Sequence, residues 1–172
     1  MRITTATLIL ACMTAAPIFC QTEKDPDTPT SKERELKACG PKEKEVKYSV
    51  ETDKKSHPTG EAAADKSLIY VMRPTMMGNK IQTKLAVDGE WKGVNRGNNY
   101  FFFTLQPGEH YFCSQAENRS VLVLTVEAGK TYHLQQGIRM GVMKARNELS
   151  VMDDAKGQQK LAGLHPSTWE AK

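Results

Sequence analysis

Cysteine, aromatic residues and long apolar runs are all scarce in this sequence. The 172 residues include four cysteines, and Phe, Trp and Tyr together make up 7% of the chain. Beyond the first 20 residues, no segment approaches the roughly 20 apolar residues that a membrane-spanning helix needs. No internal repeat is evident either. We therefore expect no membrane span and no repeat architecture, and a chain of this length has room for one ordinary domain.

Motifs for catalysis and for metal binding are also lacking. No serine lies in a Gly-x-Ser-x-Gly nucleophile elbow, and the paired carboxylates of Asp153-Asp154 are better explained as a helix cap. The chain has four histidines, none with metal-ligand spacing to another His, Cys or carboxylate: His57, His110, His133 and His165. We therefore predict a protein that is not an enzyme and that carries no metal and no cofactor.

The first 20 residues have the layout of a secretory signal peptide. Arg2 is followed by an apolar stretch, Ile3 to Phe19, that only threonines interrupt. Cleavage after Cys20 predicts a secreted or periplasmic protein. The alternative is a lipid-anchored envelope protein in which Cys12 or Cys20 carries the lipid, because Ile9-Leu10-Ala11-Cys12 looks like a lipobox.

Residues 21–66 have the composition of a tether. They hold 10 Lys and Arg, 11 Asp and Glu, four prolines and one aromatic residue, Tyr48. So little apolar surface cannot offset the entropy cost of folding. We predict a charged and largely disordered segment.

The pattern over residues 67–169 is that of short strands separated by turns. Val121–Val126 and Thr131–Gln136 are rich in strand-forming residues and flank a short glycine-containing connection. Asp88-Gly89 is a strong two-residue hairpin signal. We predict an all-β domain, a small antiparallel β-sandwich of about seven to eight strands with a short C-terminal helix.

Two cysteines, Cys39 and Cys113, remain once residues 1–20 are removed. An even pair in an exported chain favours a disulfide, because the compartment permits it. Cys39 lies in a polar segment where a free thiol would be reactive, which also favours the pairing. The alternative is that Cys113 is a reduced, buried apolar residue of a strand and Cys39 is a loose thiol in the tether.

Several motifs occur in the order in which a known bacterial family has them. They are Ala64–Pro74 (ADKSLIYVMRP), Val87–Gly89 (VDG), Asn99–Phe101 (NYF), Leu105–His110 (LQPGEH) and Glu127–Tyr132 (EAGKTY). Over about residues 65–155 the chain resembles the domain of unknown function 2846 family, small exported or lipid-anchored β-sandwich proteins. The resemblance implies that fold and assigns no activity. The Pro107–His110 hairpin also resembles PEGA-type surface-layer modules.

Charge and methionine indicate two kinds of binding surface. After Lys66 the chain carries 13 Lys and Arg against 9 Asp and Glu, a net charge of +4. So small an excess favours a solvated rim of charge over a nucleic-acid surface. If these charges do bind a partner, an anionic surface such as lipid headgroups or lipopolysaccharide fits better than nucleic acid. Loops rich in Met can form adaptable apolar surfaces, although Met also fills gaps in a core. The candidate ligand surface comprises Met76, Met77, Trp91, Tyr100, Met140 and Met143.

Together these patterns predict a non-catalytic exported envelope module. Its expected partner is an envelope protein or a cell-surface polymer, with no nucleic acid involved. The alternative is a binding module for a hydrophobic or glycan ligand, which would use the loops near Met76, Trp91, Tyr100 and Met140. An enzyme whose site is assembled from separate strands is the third option, and a His or Cys near a carboxylate in a cleft would favour it.

Overall fold

The computed structural model describes residues 29–40, 47–75, 77–140 and 145–171. Within these residues there are two helices and ten strands. The helices are α1 (Ser31–Cys39) and α2 (Asp154–Leu161), and the strands are β1 (Tyr48–Thr52), β2 (Ser67–Arg73), β3 (Thr83–Val87), β4 (Glu90–Asn95), β5 (Asn99–Leu105), β6 (Gly108–Gln115), β7 (Arg119–Val126), β8 (Thr131–Met140), β9 (Ala145–Met152) and β10 (His165–Ala171).

The strands form two sheets that pack face to face, which confirms the predicted all-β sandwich. The larger sheet has the order β1-β10-β5-β2-β8-β9, and the smaller has the order β4-β3-β6-β7. The larger sheet is mixed rather than antiparallel, because β2 pairs in parallel with β8 and β5 pairs in parallel with β10. Parallel neighbours arise because the chain crosses from one sheet to the other between these strands and does not turn back in a hairpin.

Strand β2 runs through the middle of the larger sheet and is buried along its whole length. Ile69 and Val71 point between the two sheets, whereas the intervening Tyr70 and Met72 point to the outer face of the larger sheet. A strand that is covered on both faces has a nearly continuous apolar sequence, as the β2 sequence SLIYVMR does. The core between the sheets consists of Ile69, Val71, Leu85, Val87, Phe101, Phe112, Val126, Leu134 and Leu149.

The outer face of the larger sheet is covered by α2 and by residues 57–62. The Tyr100 hydroxyl donates to the Pro58 carbonyl at 2.7 Å, and the Tyr70 hydroxyl accepts from the Gly60 amide at 2.8 Å. Burial, helped by Tyr70 and Asp53, raises the pKa of Tyr100 to about 12, so its hydroxyl remains a donor at neutral pH. Two buried tyrosines thus hold this stretch of chain against the sheet.

The outer face of the smaller sheet is covered by α1, which the Cys39–Cys113 disulfide joins to β6. This confirms the predicted pairing, and both cysteines are buried. The helix begins at a capping box in which Thr30 and Glu33 bond each other's backbone amides. The Lys37 ammonium lies 3.9 Å from the centre of the Tyr111 ring, which adds a cation–π contact.

Residues 29–40 and 47–66 differ from the predicted disordered tether. Their few apolar groups are well placed: Ala38 and Cys39 lie against the smaller sheet, and Val50 in β1 pairs with Trp169 in β10. The predicted signal peptide, residues 1–20, lies outside the described residues, as do the two candidate lipidation sites. In the described part of the chain, no helix is long and apolar enough to cross a membrane.

Turns and caps follow the predicted chemistry closely. Asp88 and Gly89 both have positive φ, 51° and 84°, as a two-residue hairpin requires. Gly129 has φ 72°, in the left-handed region. Asp153 caps α2 by accepting from the Lys156 amide at 3.0 Å. The strand count exceeds the prediction by two strands at one side of the larger sheet. Of these, β1 lies in the predicted tether and β10 follows the predicted C-terminal helix.

Candidate functional site

The predicted ligand surface is not a single surface in the described part of the molecule. Tyr100 is fully buried beneath residues 57–60, so it is a core residue and not a ligand contact. Trp91 packs near the disulfide on the outer face of the other sheet. Met77 is half exposed in a loop apart from both. The remaining three, Met76 and Met143 and the side chain of Met140, lie outside the described residues.

A different surface, the basic cleft, gathers positive charge at one end of the sandwich. It encloses about 320 Å³ and is lined by Lys54, Lys80, Arg96 and His165, together with Asn79 and Asn98. No Asp or Glu side chain is among its lining residues. Asp53, the neighbouring carboxylate in the chain, instead accepts hydrogen bonds from residues 55 and 56.

The walls of the basic cleft are held by backbone contacts between separate loops. The Gly97 amide donates to the Asn79 carbonyl at 3.1 Å, and the His165 amide donates to the Asn98 carbonyl at 3.0 Å. A side chain at Gly97 would place its Cβ 2.7 Å from the Thr75 carbonyl oxygen, which is closer than real Cβ atoms come. Only glycine therefore allows the loop at 96–98 to approach the loop at 77–80 so closely.

A buried guanidinium organises the loop that carries Asn79 and Lys80. Arg73 is fully buried and donates to the carbonyls of Ile81, Met77 and Gly78, the last at 2.6 Å. Burial lowers the pKa of Arg73 to about 10, so it remains charged at neutral pH. Among the described residues no carboxylate pairs with it. Carbonyl oxygens alone offset its charge, and a positive group thus lies beneath one wall of the cleft.

The cations of the basic cleft have no anionic partners in the described ranges of the chain. The described ion pairs involve other lysines and arginines, and neither Lys54, Lys80 nor Arg96 is among them. The Arg96 Nε atom is shielded from solvent and has no hydrogen-bond partner in this part of the chain. The site therefore offers unpaired positive charge to an incoming anion.

A second pocket, the His133 pocket, lies where α2 packs on the larger sheet. It encloses about 480 Å³ and is lined by residues from β2, β8 and α2, with Gly60 at its rim. The His133 ring stacks on Tyr70 with the ring centres 5.4 Å apart and the planes 6° from parallel. The His133 side chain also packs against Gly157 in α2, where an added Cβ would lie 2.3 Å from His133 Cγ. His133 is thus enclosed between a tyrosine ring and a helix backbone.

The charge state of His133 is governed by burial. Its Nδ1 atom lies 3.2 Å from the Asp154 carboxylate, but the two are not aligned for a hydrogen bond, so the contact is electrostatic. Burial lowers the pKa of His133, and the nearby carboxylate of Asp154 only partly opposes that shift. The ring is therefore neutral at pH 7, and Asp154 itself is largely exposed.

A second histidine–carboxylate pair joins a hairpin turn to β6. His110 Nδ1 is 2.6 Å from Asp88 Oδ2, and its Nε2 is 2.9 Å from the Gln106 carbonyl oxygen. The other Asp88 oxygen accepts from the Tyr111 amide at 2.9 Å. These contacts tie the hairpin at residues 88–89 to β6. Among the described residues, no group of three His, Cys, Asp or Glu side chains could hold a metal ion.

Residue patterns along the chain give little sign of either pocket. The nitrogen-bearing side chains of the basic cleft come from residues 54, 80, 96 and 165, and each one alone looks like a solvated turn residue. A weak signal was present in the excess of positive charge after Lys66 and in the clustering of Asn and Gly at residues 95–99. For the His133 pocket, the signal in the sequence is Gly157, because a glycine inside a predicted helix is unfavourable unless close packing requires it.

Fold and cleft together define a two-sheet β-sandwich with both outer faces covered and a basic site at one end. A family model described as "Protein of unknown function (DUF2846)" matches residues 63–148, half of the chain. The chain belongs to this family, as its resemblance over residues 65–155 had indicated. The matched segment runs from the start of β2 into β9, so α1, β1, α2 and β10 lie outside it.

Sequence comparison also finds a more distant relative. A Haemophilus influenzae protein described as "Uncharacterized protein" is 24% identical over 98 residues, which cover 56% of this chain and 58% of that protein. The chain therefore spans less than two thirds of the length of that relative. No solved structure matches the chain.

Proposed function

We propose that the chain is a non-catalytic exported module that binds an anionic partner at the bacterial envelope through the basic cleft. The observation that carries this proposal is the convergence of Lys54, Lys80 and Arg96 on one cleft that no carboxylate lines. Like charges held together repel one another, and a bound anion relieves that repulsion. A cell-surface polymer or an acidic face of an envelope protein would supply the anion.

Export is supported by two independent features. Residues 1–20 have the layout of a signal peptide. The disulfide between Cys39 and Cys113 belongs in an oxidising compartment, because cytosolic thiols are kept reduced. We place the module in the periplasm or outside the cell, with lipid attachment at Cys12 or Cys20 as the alternative.

A role without catalysis is supported by how the two histidine–carboxylate pairs are used. His110 and Asp88 both make contacts that tie a hairpin turn together. His133 lines a pocket together with Asp154, but its side chain is only 2% exposed because it is packed between Tyr70 and Gly157, so little of the ring can meet a substrate. Each pair thus has a structural use that needs no reaction.

The test compares retention of the protein on dextran sulfate with retention on unmodified dextran. We expect retention only on dextran sulfate, decreasing with added salt because exposed charges are screened. Replacing Lys54, Lys80 and Arg96 together by Gln should weaken binding by roughly tenfold or more. The control triple variant replaces Lys55, Lys156 and Lys160, which are exposed and lie outside the cleft, and changes the net charge equally. Equal losses in both triple variants would mean that net charge, and not the cleft, is responsible.

A further inference from the structure

The positive charge of the basic cleft exceeds what a single carboxylate would neutralise. Lys54, Lys80 and Arg96 carry three full charges, and His165 adds a fourth nitrogen-bearing side chain. A carboxylate brings one negative charge and two oxygens. A phosphate monoester carries about −1.5 to −2 near neutral pH and presents three strong acceptor oxygens. The number of cations in the cleft therefore fits phosphate better than carboxylate.

Arg96 supplies the geometry that favours phosphate. Its Nε atom is shielded and lacks a hydrogen-bond partner among the described residues. Because that atom is enclosed, a ligand in the cleft would be met by the rest of the Arg96 side chain, which lines it. The planar guanidinium fork matches two oxygens of a phosphate at once, whereas each lysine contributes a compact point charge.

The two asparagines of the cleft fit hydroxyl groups next to the phosphate. Both asparagines are among the residues that line the cleft. An amide offers both donors and an acceptor, as sugar hydroxyls also do. A volume of about 320 Å³ lies at the lower end of small-ligand sites, which suits one sugar ring and its phosphate.

We infer that the basic cleft binds a phosphorylated sugar, as carried by a phosphate-bearing cell-surface glycan; this inference rests on the function proposed above. The phosphate lies against Arg96, Lys54 and Lys80, and the amides of Asn79 and Asn98 contact the hydroxyls of the ring. The buried Arg73 guanidinium holds the loop between them in place through its bonds to carbonyl oxygens.

The test is isothermal titration calorimetry of the full chain at constant ionic strength. The probes are glucose 6-phosphate, glucuronate and glucose, with phosphatidylglycerol vesicles as a separate arm. We expect glucose 6-phosphate to bind roughly tenfold more tightly than glucuronate, and glucose not to bind measurably. R96Q and K80Q should each weaken binding of glucose 6-phosphate by roughly tenfold. K55Q, a neighbouring exposed lysine outside the cleft, should change it by less than about twofold.

Unfolding midpoints of all variants are measured first, so that a loss of binding is not mistaken for a loss of structure. Equal affinity for glucose 6-phosphate and glucuronate would overturn the assignment to phosphate while leaving the proposed function intact. Binding to the vesicles without binding to glucose 6-phosphate would overturn the sugar and assign the phosphate to a lipid headgroup. Retention on dextran sulfate without binding to any of these probes would overturn the inference alone. Loss of that retention as well would overturn both proposals.

Discussion

Replacing Gly157 by Ala should destabilise the protein, although alanine favours helices. Gly157 lies in α2 with its backbone against the ring of His133. An added Cβ would lie 2.3 Å from Cγ, 2.6 Å from Cβ and 2.7 Å from Cδ2 of that histidine. Two of these three atoms belong to the ring and the third joins it to the backbone of β8. The clash therefore cannot be relieved by moving the end of a flexible side chain.

Two effects of opposite sign determine the magnitude. Alanine in the interior of a helix is favoured over glycine by roughly 0.5–1 kcal/mol. Overpacking a filled site costs about 1–3 kcal/mol. His133 cannot turn aside easily, because Tyr70 stacks on its ring. We therefore expect the overpacking effect to win, with a net loss of about 1–2 kcal/mol in the free energy of unfolding.

The measurement is denaturant unfolding of the parent chain and of four variants: G157A, G163A, H133A and the double variant H133A/G157A. G163A is the matched control, because its Cβ would meet only the Lys160 carbonyl oxygen at 3.7 Å, an ordinary contact. It should change the free energy of unfolding by no more than about 0.5 kcal/mol. In the double variant H133A/G157A the ring is absent, so G157A should cost less there than in the parent.

A G157A variant as stable as the parent would refute the packing of α2 on His133. The same conclusion would follow if the cost of G157A were equal with and without the His133 ring. A loss confined to the ring-containing background would instead confirm that the contact between Gly157 and His133 limits how closely α2 approaches the sheet.

Three further outcomes follow from the same structure. Replacing Cys39 and Cys113 by Ala opens a loop with a sequence separation of 74 and should cost about 4 kcal/mol by loop entropy; a fall in the denaturant midpoint worth under about 1 kcal/mol would contradict this. Gly129→Val should cost about 1–3 kcal/mol because φ is 72°, and an unchanged melting temperature would show that valine tolerates this turn. Burial lowers the pKa of His133 below 6.5, so the unfolded state binds more protons than the folded state as the pH falls. The contribution of His133 to the free energy of unfolding should be complete above pH 6.5 and should be lost as pH falls through the folded-state pKa. H133Q should flatten that slope, and an unchanged slope would exclude His133 as its source.

Hairpins and caps could be predicted because their chemistry is local. The hairpin at Asp88-Gly89 needs positive φ at two successive residues, and few residue types other than Asn, Asp and Gly provide it cheaply. The Asp153 cap needs one side-chain oxygen and the amide of a residue three positions later. Such signals lie within a few residues of one another, so they can be read without knowing the rest of the fold.

Apart from the Cys39–Cys113 disulfide, the docking of residues 29–40 and 47–66 could not be predicted in the same way. Their composition is that of a disordered segment, and what orders them comes from far along the chain. Val50 pairs with Trp169, Cys39 bonds to Cys113, and the Pro58 carbonyl accepts from Tyr100. Average composition cannot detect a few apolar or polar groups that each meet a distant partner. The parallel pairing of β2 with β8 could not be predicted either, because the two strands are joined by a long crossover and not by a local turn.

The basic cleft likewise depends on contacts between residues that are distant in the sequence. Positive charge after Lys66 is visible in the sequence, but charge on a flexible surface is solvated and screened, and it selects no particular ligand. The walls of the proposed site are held because the Gly97 amide bonds to the loop opposite and because buried Arg73 holds that loop through its carbonyl oxygens. These contacts fix the backbone of the two loops, so that Lys80 and Arg96 line the same cleft. The free energy of folding offsets the repulsion between these like charges. In the proposed function, the anion would therefore bind to loops that are already in place.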